Sequence, residues 1–116
     1  MSQKELLDNL TDKNTLREVQ LYIKKAIEIR GFGNQSVQEA MLLLLEEIGE
    51  LAKSVRKSKS NMTVDIHKLQ NYDTVESEVA DVFIVLSSIC NLLNIDMFQA
   101  LKDKETENIN RTWMKA

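Results

Sequence analysis

The amino-acid sequence predicts an all-α protein. It contains no proline and three glycines in 116 residues, so few positions would interrupt a helix. The apolar–polar alternation of a half-buried strand is hard to find, whereas apolar residues recur at three- and four-residue steps. The length corresponds to a single domain over residues 1–116. Because so short a chain buries a smaller share of its surface than a larger domain, a second copy would help to complete its core.

The N-terminal quarter of the chain predicts one long helix. Residues 1–13 are polar and are interpreted as a loose lead-in or a short helix. Thr15 is a suitable N-cap for a helix that continues to about Arg30, and residues 31–34 form the glycine-containing turn that ends it. The apolar stripe of this helix consists of Leu16, Val19, Ile23, Ala26 and Ile27.

A second helix is predicted from Ser36 to about Lys57, since Ser36 and Glu39 have the spacing of a capping box. Residues 58–74 are polar and lack clear periodicity, which predicts a loop with a helical turn around 66–69. Loops of this length are often functional lids or partner contacts, and a plain disordered connection is the alternative.

A third helix is predicted from about Val75 to Leu93. β-Branched residues are frequent there and would suit a strand, but the length and the three- and four-residue spacing favour a helix. Residues 94–96 form the next turn, with Asp96 as the N-cap of a fourth helix over about 97–112.

The overall charge and composition restrict the function classes. The net charge is −3 and the pI is near 5.2, whereas a protein that binds a nucleic acid polymer normally has a basic excess. The N-terminus lacks a hydrophobic signal region, and no apolar stretch reaches the ~18 residues of a membrane span. A cytoplasmic location without membrane contact is therefore expected. The single cysteine, Cys90, lies in an apolar run, which favours a buried thiol.

Four acids occupy unusual positions on the predicted helices. Glu47 and Glu50 share one face of the second helix beside its apolar stripe, because successive residues are separated by about 100°. Glu78 and Asp81 stand one turn apart on an apolar side of the third helix. Burying four carboxylates near one another is very costly unless they are protonated, paired with basic groups or bound to a hard cation.

Magnesium would suit these acids, because Mg²⁺ prefers oxygen ligands and acids on facing helices can converge on it. The residues alone leave salt-bridged helix faces as an equal alternative. A zinc site is disfavoured because His67 is the only histidine and Cys90 the only cysteine. A di-iron site would need Glu-x-x-His pairs on the helices, which the sequence lacks. Glu46, about 100° round the helix from Glu47, could polarise a water or bind a second ion, and a solvated surface acid is the alternative.

Four sequence elements, in this order, resemble one family. Residues 30–32 are similar to an Arg-Gly-aromatic turn, and residues 46–50 match E-E-x-x-E. Residues 78–81 match E-x-x-D, and residues 104–113 are similar to a K-x-x-x-N-x-x-R-x-W pattern. Together they resemble the MazG-like nucleotide pyrophosphohydrolases of the all-α NTP pyrophosphatase superfamily, and the resemblance covers nearly the whole chain.

The resemblance implies a four-helix MazG-like bundle whose core is completed by oligomerisation, as a homodimer or a homotetramer made of two dimers. It implies hydrolysis of a nucleoside triphosphate, (d)NTP, to a (d)NMP and pyrophosphate. House-cleaning of the nucleotide pool is a hypothesis for the biological role. Mg²⁺ is the implied cofactor, with Mn²⁺ as a substitute. The implied metal ligands are Glu47, Glu50, Glu78 and Asp81. The candidate catalytic residues are Glu46, Glu47 and Glu50, with no single base assigned.

The resemblance also implies substrate contacts. Lys104, Asn108 and Arg111 lie on one face of the predicted fourth helix, where they could bind phosphate or sugar oxygens. A solvated basic face paired with nearby acids is the alternative. Phe32 could stack on a base, although a core aromatic at a helix junction is equally consistent with the sequence. A different class of function also stays open, a non-catalytic helical interaction module that binds a partner through its acidic helix faces.

Overall fold

A computed structural model describes residues 1–67 and 74–116 of the chain. Within these ranges the regular structure consists of five α-helices and no strand, which confirms the all-α prediction. The helices are α1 (Gln3–Asp8), α2 (Leu16–Ile29), α3 (Val37–Lys59), α4 (Val75–Leu92) and α5 (Met97–Ile109). Helices α2 to α5 are the four long helices expected from the periodicity, and α1 is the short helix that was one of two interpretations of residues 1–13.

Helices α2 and α3 start at the predicted N-caps, Thr15 and Ser36, and both starts are capping boxes, of which the sequence predicts the one at Ser36. The Thr15 hydroxyl accepts a hydrogen bond from the backbone N–H of Glu18, and the Glu18 carboxylate accepts one from the backbone N–H of Thr15. Ser36 and Glu39 make the same reciprocal pair at the start of α3. These bonds satisfy N–H groups that have no partner inside the helix, and they hold the pKa of both glutamates below the usual value.

The turns between the helices use left-handed backbone. Gly31, directly after the C-cap of α2, has φ of +91°, a conformation that favours glycine. Asn94, between α4 and α5, has φ of +55°, and asparagine tolerates that region better than most residues. After α3, residues 61–65 are irregular and residues 66–67 form a short 3₁₀ turn, as expected there. The rest of the predicted turn around 66–69 lies outside the described residues.

Helix α4 is central to the packing, since it lies against both α3 and α2, while α1 and α5 pack on α2. A buried amide ties α2 to the turn between α4 and α5. The Gln20 side chain donates to the backbone carbonyl of Ile95 at 2.6 Å and accepts from the backbone N–H of Met97 at 3.1 Å. Asn91 on α4 donates to the backbone carbonyl of Gln20 at 3.1 Å. This network fixes the position of α5 relative to the other helices.

A single chain leaves much apolar surface exposed. The fully buried apolar residues in the described part of the chain are Ile23, Ala26, Ala40 and Ile89. The radius of gyration is 17.3 Å, whereas a compact domain of this length has about 13 Å. Two exposed apolar stripes account for part of this surface. The α3 stripe consists of Met41, Leu42, Leu45 and Ile48, and the α4 stripe consists of Val79, Phe83 and Leu86.

No single helix within the described ranges is long and apolar enough to cross a membrane. Helices α4 and α5 meet the length and composition of a span only when taken together, as a pair bent by 95°.

Candidate metal centre

Three acids from two helices converge where α3 packs on α4. Glu47 on α3 and Glu78 and Asp81 on α4 each offer a carboxylate oxygen, and these oxygens all lie within 4.8 Å of one another. The spacing of Glu78 and Asp81 puts them one turn apart on the side of α4 that faces α3. Glu78 is buried, and Glu47 and Asp81 are half-buried. We call these three residues the acidic cluster.

The cluster is electrostatically unfavourable without a counter-charge. Burial raises the pKa of the Glu47 carboxyl, and the charges of Asp81 and then Glu78 raise it further. The donor set fits a hard cation. With Mg–O distances of about 2.1 Å, oxygens on opposite sides of Mg²⁺ are about 4.2 Å apart, so oxygens that all lie within 4.8 Å of one another could reach one ion after small side-chain movements. A cation bound among these oxygens would remove the repulsion that raises the pKa of Glu47.

The other two predicted acids of α3 lie at the margin of the cluster. The Glu50 side chain is 51 % exposed and lies 3.9 Å from the ammonium group of Lys53. Glu46 is exposed. Their charges still raise the pKa of Glu47, so both are close enough to act on it electrostatically. The structure thus brings together three of the four predicted ligands, and the role of Glu50 stays a prediction.

The acidic cluster borders a cavity of about 260 Å³. Glu47 and Asp81 form part of its wall, and most of the other lining side chains are apolar. Phe32 is among them and is 51 % exposed, so its ring is available to a ligand. The remaining lining residues are Ile27, Arg30, Gln35, Leu43, Ile84, Val85 and Ser88.

Sequence reasoning missed Ser88 and Gln35 as cavity residues. One signal was present for Ser88, because it follows Asp81 by seven residues and therefore lies two turns along the same face of α4. No comparable signal exists for Gln35, which reaches the cavity from the turn before α3.

The predicted substrate residues of α5 lie close to one another but do not line this cavity. The ammonium group of Lys104 lies 2.9 Å from a carboxylate oxygen of Glu107, which agrees with the alternative of a solvated basic face paired with nearby acids. The Arg111 guanidinium donates to the Asn108 side-chain oxygen at 3.4 Å and lies 5.9 Å from the centre of the Trp113 ring. Helix α5 ends at Ile109, a few residues before the predicted end, so Arg111 lies beyond the helix.

Comparison with known protein families matches residues 35–111, about two thirds of the chain, to the MazG nucleotide pyrophosphohydrolase domain. The chain belongs to this family. Comparison with curated proteins and with solved structures gives no match.

The matched MazG segment contains the acidic cluster and all of α3, α4 and α5. Helix α2, which packs on α4 and α5, and helix α1, which packs on α2, precede it. Phe32 and Arg30 also lie outside the matched residues, although they line the cavity beside the MazG acids. The metal-binding potential of the chain therefore lies within the family segment, while part of the cavity wall comes from the residues before it.

Mg²⁺ is expected to raise the melting temperature of this MazG protein. A ligand present at about 100 times its Kd adds about 2.7 kcal/mol, which corresponds to roughly 10 °C for a chain of this size. The Mg²⁺-induced shift should be largest at neutral pH, because in acid a proton on Glu47 competes with the ion for the same carboxylate. Because the pKa of Glu47 is raised, the contribution of this carboxyl to stability is present in acid and is lost as the pH rises through its raised pKa. Thermal melts in Mg²⁺ at several pH values check both points.

The control for this measurement is NaCl at matched ionic strength, which screens exposed charges without coordinating to them. Equal shifts in NaCl and MgCl₂, or no shift with either Mg²⁺ or Mn²⁺, would contradict a metal site at the acidic cluster.

Proposed function

We propose that this protein is a Mg²⁺-dependent nucleoside triphosphate pyrophosphohydrolase that cleaves between the α- and β-phosphates. The observation that carries the proposal is the convergence of Glu47, Glu78 and Asp81 beside a cavity with a partly apolar lining, within a MazG domain. Glu47, Glu78 and Asp81 would hold Mg²⁺, with Glu50 as a fourth ligand and Mn²⁺ as a substitute ion. The ion would screen the polyphosphate and help to activate a water for in-line attack.

Other side chains would accept the proton, contact the nucleobase and bind phosphate or sugar oxygens. Glu46, Glu47 and Glu50 are the acids from which the proton acceptor for the attacking water would come, since they lie within five residues of one another in the middle of α3, beside the acidic cluster. The nucleobase of the substrate would lie in the partly apolar cavity, with the exposed ring of Phe32 stacked on it. Lys104, Asn108 and Arg111 would bind phosphate or sugar oxygens, and the grouping of Arg111 with Asn108 supports this role.

We also propose that the protein works as a homodimer, or as a homotetramer made of two dimers. Few apolar side chains are buried in one chain, and the radius of gyration exceeds that of a compact domain of this length. The α3 and α4 stripes belong to the same two helices as the acidic cluster. Burying them against a second copy would therefore rigidify the helices that position the metal ligands. The cytoplasmic location and the role in nucleotide house-cleaning also stay predictions.

Product analysis tests the proposed reaction. Standard and damaged (d)NTPs are incubated with the protein and Mg²⁺, and the phosphate product and the nucleotide product are both identified. Pyrophosphate and a nucleoside monophosphate are expected, and EDTA should abolish their release. Orthophosphate with a nucleoside diphosphate would contradict the proposal. Absence of any turnover, together with absence of a Mg²⁺ effect on melting, would favour the interaction module.

A further inference from the structure

Ser88 carries a buried hydroxyl group that has no hydrogen-bond partner within the described residues. The residue is 8 % exposed, and its Oγ is shielded from solvent. Its neighbour Ser87 is also buried, but the Ser87 hydroxyl donates to the backbone carbonyl of Phe83 at 2.7 Å. A serine inside a helix commonly satisfies its hydroxyl in this way. Leaving a buried hydroxyl unpaired costs free energy, so the unpaired state of Ser88 calls for an explanation.

Ser88 lies in the wall between two neighbouring cavities. It lines the cavity of about 260 Å³ that reaches the acidic cluster and a second cavity of about 90 Å³. Ile27, Phe32 and Gln35 line both as well, so the two spaces adjoin. Together their volumes reach the lower end of the ~300–1,000 Å³ range of small-molecule sites. A ligand in the larger cavity would therefore approach Ser88 from the side of the acidic cluster, and the Ser88 hydroxyl, which is shielded in the unliganded chain, would turn toward that ligand.

The position of Ser88 relative to the metal ligands suits the far end of a nucleotide. Seven residues separate it from Asp81 on α4, which is about 10 Å along the helix axis. A nucleotide whose phosphates lie at Asp81 would extend its base over a comparable distance. Apolar side chains form much of the larger cavity, as the faces of a base require, and Arg30 adds a cationic side chain to its lining.

We propose that the Ser88 hydroxyl, together with the Gln35 side-chain amide, binds the polar edge of the nucleobase and determines base specificity. This inference rests on the proposed function for the identity of the ligand. A serine hydroxyl can donate and accept, and a glutamine amide can do both, so the pair can match the donor–acceptor pattern of a base edge. A base that matches this pattern gains a hydrogen bond that the free protein lacks. Because rejection of an unmatched base comes from leaving these groups unpaired, Ser88 would discriminate between bases rather than bind them all more tightly.

Ser88→Ala and Ser87→Ala form a matched pair of test variants. Each removes one hydroxyl from the same turn of α4, but only the Ser87 hydroxyl is paired within the helix. The affinity of wild type and variants for the standard ribo- and deoxyribonucleoside monophosphates is measured by calorimetry with Mg²⁺ present, and the melting temperature is measured without ligand. Ser88→Thr, which keeps the hydroxyl, serves as the conservative variant.

Ser88→Ala is expected to weaken binding of the preferred monophosphate about tenfold and to flatten the preference among bases. Its melting temperature should equal or exceed that of wild type, because an unpaired buried group has been removed. Ser87→Ala should keep the wild-type order of affinities, because its hydroxyl is already paired with the Phe83 carbonyl inside the helix. Ser88→Thr should also keep that order, even if its added methyl group weakens all the affinities together.

An unchanged order of affinities in Ser88→Ala would overturn the inference, and so would wild-type protein that binds no monophosphate. A lower melting temperature with a uniform loss of affinity would also overturn it, since that pattern indicates a packing role. The proposed function is separable from this result. Wild type that binds monophosphates selectively through Ser88 but hydrolyses no triphosphate would refute the enzyme proposal alone.

Discussion

Replacing Asp81 with asparagine is expected to lower kcat/KM by more than the ~10- to 100-fold that follows loss of an outer-sphere partner of a metal ligand. Asp81 is one of the three acids whose oxygens converge between α3 and α4. Asparagine keeps the size of the side chain and removes its charge, so the helices should remain folded while the cation loses a charged carboxylate ligand. Steady-state kinetics with Mg²⁺ and a triphosphate substrate measure the loss.

The same variant should be more stable than wild type in the absence of metal. The Asp81 charge is the largest electrostatic contribution to the raised pKa of Glu47, after the effect of burial. Removing that charge relieves like-charge repulsion within a partly buried cluster. A higher melting temperature without metal, a smaller Mg²⁺-induced shift and a large loss of activity would together distinguish a metal ligand from a residue that only supports the fold.

Asp103→Asn is the matched control for Asp81→Asn. Asp103 is an exposed aspartate on α5, where it accepts a hydrogen bond from Gln99, and it lies outside the acidic cluster. The Asp103→Asn variant should keep wild-type kinetics and the full Mg²⁺-induced shift in melting temperature. Near-normal activity in Asp81→Asn would be incompatible with the proposed metal site.

Glu50→Gln extends the same test to the predicted ligand that lies outside the cluster. In the single chain Glu50 is half exposed and pairs with Lys53. If Glu50 turns toward the cation when the site is loaded, its removal should reduce the Mg²⁺ shift as much as Asp81→Asn does. If Glu50 acts on the site only through its charge, Glu50→Gln should still show the Mg²⁺-induced shift in melting temperature, but with a lower affinity for Mg²⁺, as expected of a carboxylate that neighbours the ligands.

The helix starts are predictable from this sequence because their signals are local. A capping box is written within four consecutive residues, and Thr15 and Ser36 each have the required glutamate. That Glu78 and Asp81 share one side of α4 is predictable as well, because the two acids also lie within four consecutive residues. Which acid of α3 faces them depends on the rotation of α3 against α4, and this is a tertiary property that the spacing of Glu47 and Glu50 does not contain.

The cavity shows the limit of prediction from sequence in another way. Its uncharged polar residues, Gln35 and Ser88, come from distant parts of the chain and meet only because α3 and α2 both pack against α4. The sequence shows that Ser88 lies in an apolar run, but it does not show that the hydroxyl lacks a partner. Periodicity likewise identifies Val79 and Leu86 as apolar helix positions without revealing that both are exposed in a single chain.

Leu45→Glu is expected to convert the protein to a monomer and to lower its melting temperature strongly. Leu45 is 62 % exposed in the single chain and lies in the middle of the α3 stripe. Full burial of a leucine contributes about 1.5–3 kcal/mol, and a two-fold symmetric interface contains each substitution twice. Because only 62 % of Leu45 is left to bury, the loss is about 2–4 kcal/mol per dimer, or between about 30-fold and several hundredfold in the dissociation constant.

Size-exclusion chromatography with light scattering measures this change against the chain mass of 13.3 kDa. The melting temperature of wild type should also rise with protein concentration, because association stabilises the folded state, and that of Leu45→Glu should not. Leu7→Glu is the control, since Leu7 is a 52 % exposed leucine on α1, away from both stripes. A monomeric wild type, or equal effects of the two substitutions, would contradict burial of the α3 stripe against a second copy. If the prediction holds, the few buried apolar residues of one chain are explained, because the rest of the core is supplied by the second copy.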